Sequence, residues 1–228
     1  MAVQIIVDST ADFSAKEIEK RQITCIPMTV TFGNEQYIDG VDLTKEEFFV
    51  KLTNEKEFPK TSQPSPAKFA DCFEEAKENG DDVVAILVSG ALSGTAQRAT
   101  IAKDIAEHDG VYIVDSKSAT LGIRLLVDRA VRMRDQGKSA KEIADALDEI
   151  KARVRIFAGL DTLEYLQKGG RISKTAASIG RLAGIKPIIT IDEEGKVAVC
   201  GKQRGNKNVF RQIIKYVKAD MPDENYSV

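Results

Sequence analysis

Short apolar runs alternate along the chain with longer stretches whose apolar residues recur at helical spacing. Gln4–Val7 reads as a buried strand, and Ser14 with Glu17 forms a capping-box pair that opens a helix. Thr24–Phe32 is alternating and β-branched; with Gly33-Asn34 and Glu35–Ile38 it predicts a hairpin. Thr44 and Glu47 repeat the capping-box pattern. Phe58–Pro66 holds three prolines and reads as a loop, with Ser65 as N-cap and Pro66 as first residue of the next helix.

The pattern then becomes regular. Asp82–Val88 predicts a strand, Ser89–Gly94 a small-residue loop and Thr95–Glu107 a helix. Val111–Val114 is a strand leading into Asp115-Ser116. Leu121, Leu125, Ala130 and Met133 share a helical face that ends at Gly137, and Ser139 with Glu142 caps a helix turning Ile143, Ala146, Leu147 and Ile150 inward. Strands alternating with helices predict an α/β fold, a mostly parallel sheet sandwiched by helices. From about Arg155 the grammar changes. A strand at Arg155–Gly159, short helices at Thr162–Lys168 and Lys174–Leu182, strands at Ile185–Ile191 and Lys196–Lys202, and a helix at Asn206–Ala219 predict a second, smaller α+β domain. The expected division is residues 1–154 and 155–228.

Composition narrows the chemistry. At 43% hydrophobic and 30% charged, the chain can bury a core and is not a disordered one. A net charge of −2 argues against a surface built to neutralise nucleic-acid phosphates. No run approaches the roughly 20 apolar residues of a membrane span. The start, with an acid at Asp8 directly after a short apolar run, lacks the basic and long apolar regions of a signal peptide. Cys25, Cys72 and Cys200 are odd in number and far apart, as expected of reduced, mostly buried thiols in a cytoplasmic protein.

Ligands of open α/β sheets bind outside the carboxyl ends of the strands. There the sequence places Asp8-Ser9-Thr10-Ala11-Asp12, Ser89-Gly90-Ala91-Leu92-Ser93-Gly94-Thr95 and Asp115-Ser116, with Thr61-Ser62-Gln63-Pro64 as a further candidate. Ser93 reads first as the N-cap of the following helix; alternatively, the free N–H groups and dipole at that helix start favour an anion. A Ser93 nucleophile would need a base, and the sole histidine, His108, precedes the Val111 strand and so lies at the opposite edge of the sheet, as an exposed loop residue. Neither G-x-x-x-x-G-K-S/T nor G-x-G-x-x-G occurs. Asp8, Asp12 and Asp115 could gather around a divalent ion for phosphotransfer or hydrolysis, or simply form caps and turns. In Lys168-Gly169-Gly170-Arg171, Arg171 offers a guanidinium fork to a carboxylate or phosphate, or is a surface residue after a helix stop. Lys196–Lys218 contains no acid and is either a solvated face or a surface that steers an acidic partner.

Taken together, Asp8–Asp12, Thr61–Pro66, Ser89–Thr95, Val114–Ser116, Leu166–Ile172 and Ile185–Ile188 resemble the DegV family of bacterial fatty-acid-binding proteins. The resemblance implies two domains with a long-chain fatty acid between them. The family's binding threonine and serine fall on Thr61 and Ser93, which would hold the carboxylate, and its glycine-glycine-arginine arginine falls on Arg171, near the head group. It further implies presentation of the acid to a separate fatty-acid kinase, which makes an acyl phosphate for phospholipid synthesis. The binding protein is then not an enzyme, and no cofactor or metal is expected. Ile156–Leu160, Ile179–Ile185 and Ile188–Ile191 could line the acyl slot, although residue by residue they read first as ordinary core packing; burying about fifteen methylenes at ~0.8 kcal/mol each gives a gross ~12 kcal/mol. Relative to the family the chain is C-terminally shortened: a further stretch, with a histidine that also contacts the carboxylate, is expected past Val228, and His108 is not that residue. The basic stretch is expected to help dock the kinase.

Overall fold

The computed structural model describes residues 2–54, 57–177 and 184–221. The first elements are β1 (Val3–Asp8), α1 (Ala15–Arg21), β2 (Ile23–Ile26), β3 (Thr29–Phe32), β4 (Glu35–Ile38), α2 (Lys45–Asn54), β5 (Lys60–Ser62) and α3 (Pro66–Glu78). There follow β6 (Asp82–Leu87), α4 (Thr95–Ala106), β7 (Val111–Asp115), α5 (Leu121–Asp135) and α6 (Ala140–Ile150). The last are β8 (Phe157–Gly159), α7 (Glu164–Lys168), α8 (Lys174–Ala177), β9 (Ile185–Ile191), β10 (Val197–Arg204) and α9 (Asn206–Ala219). The chain divides into two compact units, Met1–Ala152 and Arg153–Val228.

The first unit is built on a parallel sheet of order β2-β1-β6-β7. Its residues alternate between two buried faces. Ile6, Val83, Ala85 and Leu87 meet Phe69 and Phe73 of α3 and the alanine face Ala99, Ala102, Ala106 of α4. Ile5, Val7, Val84 and Ile86, also buried, point the other way, where α5 and α6 pack. Small alanines on α4 let it sit close to the phenylalanines of α3, the small-against-large fit of a dense core. The expected capping boxes form: Ser14 and Ser139 exchange hydrogen bonds with Glu17 and Glu142. Thr44 does so with Glu47, and Ser65 caps α3 ahead of Pro66.

Two expectations are corrected here. Thr24–Phe32 is not one strand. Pro27 has no N–H to give a ladder, so β2 ends at Ile26 in the parallel sheet and β3 begins at Thr29 in another. Phe58–Pro66 is not wholly a loop: Lys60–Ser62, between Pro59 and Pro64, pairs antiparallel with β3, with Thr61 opposite Val30. The result is a small sheet of order β4-β3-β5 over a cluster of Val30, Phe32 and Leu43.

The second unit holds an antiparallel sheet of order β10-β9-β8 with α9 against it. Val209 of α9 is buried, Tyr216 stacks on Phe157 at 5.3 Å between ring centroids, and the Tyr216 hydroxyl donates to the Cys200 carbonyl. The approach is close because two glycines face the helix. A Cβ on Gly159 would lie 2.2 Å from Val209 Cγ1, and one on Gly201 would lie 2.7 Å from the Tyr216 hydroxyl. The strand expected over Arg155–Gly159 begins at Phe157, and the helix expected over Thr162–Lys168 begins at Glu164. The helix expected over Lys174–Leu182 is seen at Lys174–Ala177; residues 178–183 lie outside the described residues, as does most of the proposed acyl-lining run Ile179–Ile185. The stop at Asn225–Val228 also lies outside them.

Candidate functional site

The strand order makes β1 and β6 neighbours from which the chain winds in opposite directions, to β2 and to β7. That is the topological switch point, and ligands of such sheets bind in the crevice beyond it. Asp8 ends β1 there. It is fully buried and accepts from the Thr10 hydroxyl, from Thr10 N at 3.0 Å and from Val88 N at 2.8 Å. Burial pushes its carboxyl above the ordinary aspartate value, against the pull of these donors. Asp8 therefore ties the end of β1 to the end of β6.

The neighbouring hydroxyls knit the loops together. Ser9 Oγ accepts from Met28 N, Ser89 N donates to the Ser118 carbonyl, and Ser116 Oγ both donates to the Ser118 carbonyl and accepts from Ser118 N. Ser89, Ser116 and Ser118 are buried. Three non-glycine residues in these loops, Asp12, Lys117 and Thr120, have φ of 65°, 50° and 43°, a backbone strain that tends to gather at working sites. Asp115 accepts from Gly90 N and Lys117 N and pairs with the Lys117 ammonium at 3.2 Å. Asp8 and Asp115 thus each accept from nearby backbone donors. Among the described residues, no cluster of three or more His, Cys, Asp or Glu is placed to hold a metal.

Ser93 departs from one of its two readings. It is not the N-cap of α4. Gly94 occupies that position and contributes no side-chain hydrogen bond, so the first-turn N–H groups take no acceptor from their cap. The Ser93 hydroxyl instead lies 2.8 Å from that of Thr95, the first residue of the helix, which is fully buried. The segment after Thr61 closes over this point. A Cβ on Gly94 would meet Gln63 Nε2 at 2.9 Å and Oε1 at 3.0 Å, so the Gln63 amide rests directly on the glycine. Thr61 itself is exposed on β5, two residues before Gln63. Gln63, which follows β5, therefore meets the Ser93-Gly94 segment at the amino end of α4. Gln63 and Thr95 were not singled out from sequence; a glycine at an N-cap, with a large polar residue needing room above it, is the signal that would have drawn attention to them.

Arg171 belongs to the second unit. It follows the α7 stop at Gly169-Gly170, is exposed, and its guanidinium donates to the Gly169 carbonyl. Leu160 and Ile189 join the cluster around Leu163 and Ile172, and Ile188 is buried. A groove of about 770 Å³ lies beside α9, lined by Leu160, Val209, Phe210 and Ile213 with Asp161 and Lys186; none of Thr61, Ser93 and Arg171 borders it. The basic stretch runs along β10 and α9, where Phe210, Ile214 and Val217 are also exposed. His108 is corrected from an exposed loop residue to a half-buried one. Its Nε2 donates to the Asp81 carbonyl at 2.8 Å and its Nδ1 accepts from Gly110 N, which fixes the ring beside the amino ends of β6 and β7, away from Ser93. The cysteines are free and only partly covered, and burial pushes the Cys25 thiol up to about 12.

The first unit thus carries hydroxyl-rich loops beyond the switch point of an open α/β sheet, and an α4 whose N-cap supplies no side-chain acceptor. The chain belongs to the DegV family: the profile described as "Uncharacterised protein, DegV family" matches residues 2–227. A DegV domain-containing protein of Caldanaerobacter subterraneus subsp. tengcongensis is 39% identical over 216 residues, spanning 95% of this chain and 76% of the relative. Among solved structures, a stearic acid-binding protein from Eubacterium ventriosum is 33% identical with a TM-score of 0.87, covering 97% of this chain and 77% of that one. The Fatty Acid Kinase (Fak) B3 protein of Streptococcus pneumoniae, loaded with linoleic acid, is 25% identical with a TM-score of 0.85, covering 96% and 79%. No helix among the described residues is long and apolar enough to cross a membrane.

Proposed function

We propose that this chain binds a long-chain fatty acid, with the hydroxyls of Thr61 and Ser93 donating to the carboxylate and Arg171 helping to neutralise it. The observation that carries this reading is the start of α4, where an uncapped helix turn, the Ser93 hydroxyl and the loop after Thr61 come together. A carboxylate there would receive neutral donors and the positive end of a helix dipole. The acyl tail, through about 0.8 kcal/mol per buried methylene, would supply most of the affinity, and the head would set orientation. Solved relatives that bind stearic and linoleic acids support the ligand class.

In this reading the first unit carries the carboxylate loops and the second covers the chain through runs such as Ile156–Leu160 and Ile188–Ile191. The protein works in the cytoplasm as a carrier, not a catalyst, presenting the carboxylate to a separate fatty-acid kinase. The name of the Streptococcus pneumoniae relative supports a kinase partner, and the acid-free stretch Lys196–Lys218 is a fitting surface for it.

Titration of the lipid-stripped chain with palmitate tests the site. Ser93→Ala is expected to weaken binding about 10- to 150-fold, the equivalent of one charged hydrogen bond at about 1.5–3 kcal/mol. Unchanged affinity in both Ser93→Ala and Thr61→Val would remove these residues from the head-group site. For the partner, the double reversal Arg204→Glu/Lys207→Glu is expected to slow phosphorylation of the bound acid while leaving palmitate uptake intact; unaltered phosphorylation would move the docking surface elsewhere.

A further inference from the structure

We propose that Thr95 is a positioning residue for the head group: its buried hydroxyl holds the Ser93 hydroxyl so that the Ser93 proton points at the carboxylate. This rests on the fatty-acid reading above and deepens it. The two oxygens lie 2.8 Å apart, and either one can be the donor. Each hydroxyl has a single proton to give and lone pairs to receive with. An ionised carboxylate only accepts. Ser93 can therefore serve the ligand only when the bond between the hydroxyls runs from Thr95 to Ser93.

The surroundings suit that division of labour. Thr95 is fully buried, whereas Ser93 is half-buried at the mouth of the site. Thr95 stands one residue past the N-cap, on helical backbone, and its branched Cβ restricts rotation. Gly94 between them carries no side chain, and Gln63 covers it. Removing the Thr95 hydroxyl would leave Ser93 free to turn its proton elsewhere. A neutral hydrogen bond of this kind is worth about 2- to 10-fold in affinity.

The experiment compares palmitate with hexadecanol, which has the same tail but a head that both donates and accepts, so either orientation of Ser93 can serve it. Thr95→Val is expected to weaken palmitate binding about 2- to 10-fold, to leave hexadecanol binding unchanged, and to add no loss in a Ser93→Ala background. Thr95→Ser, which keeps the hydroxyl, is expected to restore palmitate affinity. If Thr95→Val does not fold, Thr95→Ala carries the same comparison. Wild-type palmitate affinity in the hydroxyl-free variant, equal loss of both ligands, or an equal loss without Ser93 would each overturn the proposal while leaving fatty-acid binding intact. Failure of the unmodified chain to take up palmitate would overturn the fatty-acid reading itself, and this inference with it.

Discussion

Asp8 shows how a single residue can look catalytic in a sequence and be structural in the fold. An acid at the end of a buried strand reads first as a turn-former, and beside that as a metal ligand. The donors at Thr10 and Val88 decide for the turn. Asp8→Ala is expected to destabilise the first unit by about 1–3 kcal/mol, the consequence of leaving the Val88 N–H buried without an acceptor, and urea denaturation checks it. Glu142 works in the other direction. The Lys138 ammonium and Ser139 donors hold its carboxyl at about 2, below the ordinary 4.5. A depressed carboxylate contributes stability that is complete above 4.5 and is lost as pH falls toward 2. The melting-temperature advantage of the wild type over Glu142→Gln is therefore expected at pH 7 and should vanish by about pH 2; an advantage that does not change with pH would contradict the assignment. Ser93 was legible as a residue at a helix start, but its N-cap reading fails because Gly94, one position later, is the cap, which only the backbone shows.

At the scale of elements, local rules were read well wherever the signal was local. The capping boxes of α1 and α6 need only residues three apart, and both form. What escaped were pairings set by distant partners. β5 exists because β3 offers it an edge, and two prolines flanking three residues look like a loop until that edge is known. The packing of α9 is likewise a long-range matter. Val209 sits so close to Gly159 that Gly159→Ala should push the helix away from β8 and β9 and cost about 1–3 kcal/mol, as overpacking does. Its signature would be early loss of the second unit's protection in hydrogen exchange; exchange identical to the wild type would show that Val209 yields freely.

For the whole molecule, the alternation of strands and helices was enough to foresee a parallel sheet with helices on both faces, since both periodicities are written in the residues themselves. The switch point between β1 and β6 was not, because strand order depends on which buried faces match. Yet it is strand order that brings the loops after β1 and β6 together, and β5 that carries Gln63 to Gly94. The measurement that bears most directly on the molecule as a fatty-acid carrier is mass spectrometry of lipid extracted from the purified chain, before and after incubation with palmitate and oleate. Recovery of one long-chain acid per chain, taken up afresh once stripped, is the expected result. An extract free of fatty acid, and no uptake of either added acid, would contradict it.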